Sequence, residues 1–259
     1  MTGAVTETSR MNEDGYFGEE TAARYDESSD PMFNPEVIGP TVNFLAELAA
    51  GGRALEFAIG TGRIALPLAE RGIEVHGMDL SRAMVARLRA KPGGPAIGVT
   101  IGDMATVRAP GSYRLLYLVF NTIMNLATRE GQLACFRNAA VHLEPGGCFV
   151  IEVGVPDLQR LPPGETLLPL YVSETGWGYD EYDVANQGLI SHHFTRRGDR
   201  WELSSTPFRY VFPAELDLMA ELAGLRLRER WAGWKGEPFT SDSRSHVSVW
   251  GKAEAEASR

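Results

Sequence analysis

Cysteine is nearly absent: Cys135 and Cys148 are the only two in 259 residues, and neither belongs to a CxxC pair. That excludes a disulfide framework and a cysteine-built zinc site, and it fits a reducing, cytoplasmic setting. No run reaches the ~20 apolar residues that a membrane-spanning helix needs. Residues 1–12 are polar and lack the apolar centre of a secretory signal. Positive charge is scarce as well. Lys and Arg number 25 against 34 Asp and Glu, a net charge of −9. A nucleic-acid partner and an anionic membrane surface are both disfavoured by that balance. Metal-ligand spacing is missing too. The acids of Asp180-Glu181-Tyr182-Asp183 are merely clustered, with no histidine motif beside them, so no metal is expected.

What is present is an alternation of strand and helix signals. Asn34-Pro35 opens a helix, with Asn as N-cap and Pro in the first turn, and Gly51-Gly52 ends it near residue 50. Short apolar strands are expected at 53–57, 73–78, 97–101, 113–120 and 148–153. Helices are expected at 62–71, 81–91 and around Leu133, Phe136, Ala140 and Leu143. Pro145-Gly146-Gly147 reads as a turn. Repeated βα units at this spacing imply a doubly wound parallel sheet of the α/β class. The pattern changes after Pro156. Residues 171–211 are rich in β formers, and Gly198-Asp199 suits a hairpin turn, so an inserted antiparallel β-sheet is expected there. Pro213 opens a last helix, and residues 225–231 and 246–250 read as closing strands. The organisation is thus a tail and helical lid over 1–33, a core over 34–155 and 212–252, and an inserted region over 156–211.

The chemistry-bearing segment is Ala54-Leu55-Glu56-Phe57-Ala58-Ile59-Gly60-Thr61-Gly62-Arg63. Gly60 and Gly62 allow a tight turn and close backbone approach to a ligand. Asp79 ends the second strand, where a carboxylate can accept from both hydroxyls of a ribose. By the glycines alone this is also the G-x-G-x-x-A of an NAD-dependent oxidoreductase, which stands as the alternative. Glu56 ahead of the turn argues against it, because an acid there repels a pyrophosphate and suits a cationic amino-acid ligand. Gly102-Asp103-Met104 after the third strand and Leu143-Glu144-Pro145-Gly146-Gly147 before the fifth argue the same way.

Together these residues resemble the class I S-adenosylmethionine-dependent methyltransferases, in layout similar to amino-sugar N-methyltransferases. The likeness covers residues 34–153 well and 213–250 as general architecture. It departs from the family pattern at Ala58, which stands at the first glycine. The resemblance implies a Rossmann-like seven-stranded sheet and S-adenosyl-L-methionine as cofactor, leaving S-adenosyl-L-homocysteine as product. It implies that Glu56 orients the methionine amino end, that Ala58, Gly60 and Gly62 let the backbone approach, and that Asp79 holds the ribose. Leu80 and Met84 would pack on adenine, Asp103 would accept from its amino group, and Met104 would cover the ring. Phe120 and Asn121 would border the sulfonium. Tyr25, in Ala23-Arg24-Tyr25-Asp26, would close over the cofactor.

The acceptor is then a small molecule offering an amine, a hydroxyl or an electron-rich aromatic carbon, plausible for secondary metabolism. Tyr16, Trp177, Tyr179, Glu181, Trp234 and Phe239 are the candidate acceptor contacts. His192, His193, His246 and Tyr25 are the candidate catalytic groups. His192 and His193 are adjacent on a strand, so at most one of them faces a given cavity. The oligomeric state is read as monomer or homodimer.

Overall fold

The computed structural model describes residues 5–7, 16–28 and 30–254. In chain order the elements are β1 (Val5–Glu7), α1 (Glu19–Ser28), α2 (Pro35–Ala49), β2 (Ala54–Phe57), α3 (Ala65–Glu70) and β3 (Val75–Asp79). There follow α4 (Arg82–Arg89), β4 (Gly98–Ile101), β5 (Tyr113–Leu118), α5 (Arg129–His142) and β6 (Leu143–Gly154). The chain continues through β7 (Leu167–Val172), β8 (Gly176–Asp183), β9 (Gly188–Arg197), β10 (Arg200–Arg209), α6 (Pro213–Leu222), β11 (Leu225–Trp231) and β12 (Ser245–Lys252).

Seven strands form the main sheet in the order β11-β12-β6-β5-β2-β3-β4. The five strands from β6 to β4 run parallel, while β12 is antiparallel to both β6 and β11. Strand order reverses between β2 and β5, which opens a crevice beyond their carboxyl ends. The unbroken apolar run of β5 follows from burial on both faces. Its Leu116 and Leu118 meet Phe57, Phe149 and the helices α5 and α6. Its Leu115 and Tyr117 meet Val150 and helices α2, α3 and α4 through Leu45, Leu68 and Leu88.

The Asn34 side chain accepts from the backbone N–H of Glu36 and caps α2 as its sequence position predicts. Three expectations need correction. Pro145-Gly146-Gly147 is absorbed into β6, with an irregular register against β5. The aromatic-bearing segment Tyr16–Asp26 reads as helical throughout, but the first helix begins at Glu19, so Tyr16 and Phe17 precede it. The inserted sheet is larger than its β formers suggest. β7 through β10 pair antiparallel, and β1 adds a parallel edge strand on β10. Pro169 obscures β7 in the sequence, and its place there is explained by β7 being an edge strand with an irregular register beside the proline.

Candidate functional site

The turn after β2 is built on positive φ angles at Ala58 (52°), Gly60 (57°) and Gly62 (81°). The two glycines need that freedom for different reasons. A Cβ on Gly60 would meet the Met84 methyl at 3.4 Å and the Ala58 carbonyl oxygen at 4.0 Å, both ordinary contacts, so this position presents bare backbone to the crevice. A Cβ on Gly62 would stand 2.3 Å from Leu88 Cδ1 and 3.2 Å from Leu66 Cγ. Gly62 therefore serves the packing of α3 on α4. Asp79 ties the turn to the end of β3. Its Oδ2 accepts from the Gly60 N–H at 2.7 Å and its Oδ1 from the Ser81 N–H at 2.8 Å. Ser81 in turn caps α4, its hydroxyl oxygen accepting from the Met84 N–H at 3.0 Å.

These groups wall a cavity of about 270 Å³. Ala58, Gly60 and Asp79 form its floor, and Leu80, Met84, Asp103 and Met104 one side. Thr122, Asn125 and Leu126, around the short turn Thr122–Asn125 after β5, form the other side. Tyr16, Phe17 and Tyr25 cover it. Phe17 and Tyr25 meet edge to face at 6.1 Å and pack with Ala22 on Ala83 and Met84. Burial raises the Tyr25 hydroxyl above its ordinary pKa, so it stays a neutral donor. The Asp103 Oδ1 accepts from the Ala105 N–H at 2.8 Å, which fixes the carboxylate beside Met104.

Glu56 lies beneath the turn and is absent from the residues that line the cavity. It is 3% exposed and accepts from the Tyr117 hydroxyl at 2.9 Å. Loss of water pushes its carboxyl up to about 8, against the Tyr117 hydrogen bond and the nearby Arg63 charge. Phe120 and Asn121 both have φ of 60°, a costly conformation for two non-glycine residues in a row. The Asn121 Oδ1 accepts from the Gly154 N–H at 2.6 Å. Glu152, which from its place near the end of β6 is a candidate to face the sulfur, accepts from the Phe120 N–H at 2.9 Å and from Trp234 Nε1 at 2.8 Å. An acid within the otherwise apolar run of β6 was the available signal for it.

The inserted sheet separates its candidates by pleat. Trp177, Tyr179, Glu181 and His192 share one face. There Trp177 stacks on Phe194 at 4.0 Å and Tyr179 on His192 at 4.7 Å. His193 points the other way, onto the face where Tyr182, Leu189 and Phe208 pack near Met124 of the cavity-side turn. On that face His193 Nδ1 lies 3.3 Å from the Tyr171 hydroxyl and Nε2 lies 3.1 Å from Ser191 Oγ. Asp180 is 8% exposed on the same face, and its Oδ1 has no partner among the described residues. Burial raises the Asp180 carboxyl and lowers the His193 imidazole. His246 is fully buried at the start of β12, edge to face with Phe239 at 5.8 Å. Its Nδ1 lies 2.8 Å from Ser248 Oγ. Trp234 packs on Phe44 of α2 at 5.6 Å. None of Trp177, Tyr179, Glu181, Trp234 and Phe239 is brought to the wall of the cavity under the lid, whereas Tyr16 is.

Comparison with known proteins places this geometry. The family described as a methyltransferase domain matches residues 54–147, from β2 to the start of β6. The structure of the CcbJ methyltransferase from Streptomyces caelestis is 36% identical, covering 92% of this chain and 98% of that one, with a TM-score of 0.80. The chain belongs to the S-adenosylmethionine-dependent methyltransferases. The methyltransferase is also 24% identical over 241 residues to the cypemycin N-terminal methyltransferase of a Streptomyces species, covering 87% of this chain and 96% of the relative. Its fold is shared by CalS10, an amino pentose methyltransferase from Micromonospora echinaspora solved with S-adenosylmethionine bound. There the TM-score is 0.66 at 18% identity, over 88% of this chain and 96% of that one. The expected doubly wound α/β fold with an inserted sheet thus agrees with the observed architecture. Among the described residues no helix of the methyltransferase is long and apolar enough to cross a membrane.

Proposed function

We propose that the methyltransferase binds S-adenosyl-L-methionine in the cavity under the lid and transfers its methyl group to the amine of a small molecule of secondary metabolism. The observation that carries the cofactor reading is the Asp79 carboxylate clamped between Gly60 and Ser81 on the cavity floor. The donor set fits the ligand. An ionised carboxylate carries about four lone-pair sites, so accepting from the Gly60 and Ser81 N–H groups does not by itself exhaust Asp79 as an acceptor for ribose hydroxyls. Leu80, Met84 and Met104 offer an apolar slot for a purine, and Asp103 lies at its edge to accept an exocyclic amine. Gly60 leaves the floor bare. Bound there, the cofactor supplies a methyl group already activated on a cationic sulfur.

The remaining task of the protein is alignment and exclusion of water. Tyr16, Phe17 and Tyr25 cover the cavity, and the strained Phe120-Asn121 pair is held by Glu152 and Gly154 at the end of β5. His193 is the candidate proton acceptor for the acceptor amine, because it stands with Ser191, Asp180 and Tyr171 on the face that packs toward Met124. Asp180 adds a buried carboxylate suited to an ammonium group. The name of the cypemycin N-terminal methyltransferase supports nitrogen over oxygen or carbon, and the amino pentose of the CalS10 name is a substrate that carries an amine. The acidic balance supports a free small molecule over a nucleic acid, and the scarcity of cysteine supports the cytoplasm.

Calorimetry with S-adenosylhomocysteine tests the cofactor reading. The wild type should bind it, and Asp79→Ala should weaken binding about 100-fold, the loss of roughly 3 kcal/mol of charge-assisted hydrogen bonding. Binding of NAD by the wild type, with none of S-adenosylhomocysteine, would sink the reading and favour the NAD-dependent oxidoreductase.

A further inference from the structure

The lid is tied at both ends to the two segments that form the cavity floor. At its start, the Ser81 hydroxyl donates to the Phe17 carbonyl at 2.5 Å, two residues from Asp79. Near the end of α1, Asp26 reaches the glycine turn. Its Oδ1 accepts from the Thr61 hydroxyl at 2.6 Å, and its Oδ2 pairs with Lys91 Nζ at 2.6 Å. Lys91 Nζ closes the ring by donating to the Thr61 carbonyl at 2.9 Å. Thr61 is 2% exposed and stands between Gly60 and Gly62. Lys91 also lies over the Phe33 ring at 5.2 Å, and Arg63 Nη1 donates to the Met32 carbonyl at 3.2 Å. These polar anchors fall on the turn, on the N-cap of α4, or on Lys91 just past the C-cap of α4.

We propose that Asp26, Lys91 and Thr61 are positioning residues of the cofactor site. They form a latch that holds α1 closed, seats Tyr25 over the cavity, and sets how long the cofactor or its product stays bound. The proposal rests on the reading that S-adenosylmethionine occupies this cavity. The physical reason is enclosure. A ligand with Asp79 and Gly60 on one side and Tyr16, Phe17 and Tyr25 on the other meets the lid on one way out, so seating α1 slows its departure. Asp26 follows Tyr25 directly, so releasing Asp26 frees the backbone that carries Tyr25. Thr61 makes the coupling two-way. A ligand that fixes the turn backbone fixes the hydroxyl that Asp26 grips, and a seated lid holds the turn in its ligand-ready form. The pair is part-exposed, with 41% for Asp26 and 26% for Lys91, so salt weakens it.

Release of radiolabelled S-adenosylhomocysteine, chased with unlabelled ligand, is the test. Thr61→Val keeps the shape and removes the hydroxyl. Asp26→Asn keeps an acceptor for Thr61 and removes the charge. Each should raise the dissociation rate about tenfold, as the loss of one half-exposed charged hydrogen bond implies. Thr61→Ser, which retains the hydroxyl, should restore the wild-type rate, an outcome that a purely steric role for Thr61 does not predict. Hydrogen exchange of the α1 amides without ligand reads the latch independently, and the same variants should exchange faster there. Unchanged dissociation and unchanged exchange in both variants would overturn the latch. Should the wild type fail to bind S-adenosylhomocysteine, the cofactor reading falls while the exchange arm still decides the latch. Lys91→Met serves where Asp26→Asn does not fold.

Discussion

Replacing Glu56 with glutamine keeps the side chain's shape and removes its charge, and the structure sets the size and pH dependence of the effect. The ordinary carboxyl value is 4.5, and burial raises it to about 8. In the unfolded chain the group is ionised at neutral pH, while in the fold it holds a proton. The folded pKa is the higher one, so the fold binds more protons, and stability falls as pH rises from 4.5 through 8. At pH 7 that difference costs the apo fold about 3 kcal/mol. Glutamine has no proton to take up and can still accept from Tyr117. Urea unfolding of both proteins at pH 5, 6, 7 and 8 should show the Glu56→Gln variant gaining on the wild type as pH rises. The gap should widen by about 3 kcal/mol across the range. Other titrating groups cancel in the difference. A gap that stays constant with pH would refute the reasoning and mean that Glu56 is ionised in the fold.

The two turn glycines should separate stability from binding. Gly62→Ala drives a methyl into Leu88 and Leu66 and strains a φ of 81°, so thermal unfolding should show a loss of about 2–4 kcal/mol. Gly60→Ala makes only ordinary contacts, with the Met84 methyl and the Ala58 carbonyl, so it should cost about 1 kcal/mol of stability while weakening S-adenosylhomocysteine at least ~10-fold by calorimetry. His246 is held down at about 4 by burial and the neighbouring Arg230 charge. Its folded value lies below its unfolded one, so its neutral form stabilises the fold at pH 7, and that contribution is lost as pH falls from 6.5 toward 4. Its imidazole carbon shifts in NMR should therefore stay in the neutral range above pH 5. A midpoint near 6.5 would contradict its burial.

The cofactor half was legible because its signals are local. Gly60, Asp79 and Asp103-Met104 each sit at the end of a strand, and strand ends can be read from apolar runs and the turn residues that stop them. Depth was not legible. Glu56 announces itself as an acid before a glycine turn, yet only the register that sets Glu56 beside Tyr117 of β5 shows that it points into the core rather than the cavity. Gly62 misled for a similar reason. Its pattern position matches a ligand contact, but its missing side chain makes room for Leu88, which comes from the next helix. The contacts among Asp26, Thr61 and Lys91 are not legible in the sequence, because the three residues are far apart along the chain.

The acceptor half shows where pattern reading stops. Strand parity alone separates His192 from His193, since neighbours on a strand face opposite ways. Parity does not say which face turns inward, because that depends on what the sheet packs against. Here the choice is made by Tyr182, Leu189 and Phe208 packing near Met124, a residue of the turn that follows β5. Once that face is inward, His193, Ser191 and Asp180 follow it, while Trp177, Tyr179 and His192 are carried to the other side in an aromatic ladder. The same packing brings the buried carboxylate of Asp180 onto the face of the cavity-side turn. The cofactor motif therefore says nothing about which face of the inserted sheet turns toward the core. That choice is set by packing between the sheet and a loop of the core, a contact that involves no residue of the glycine turn.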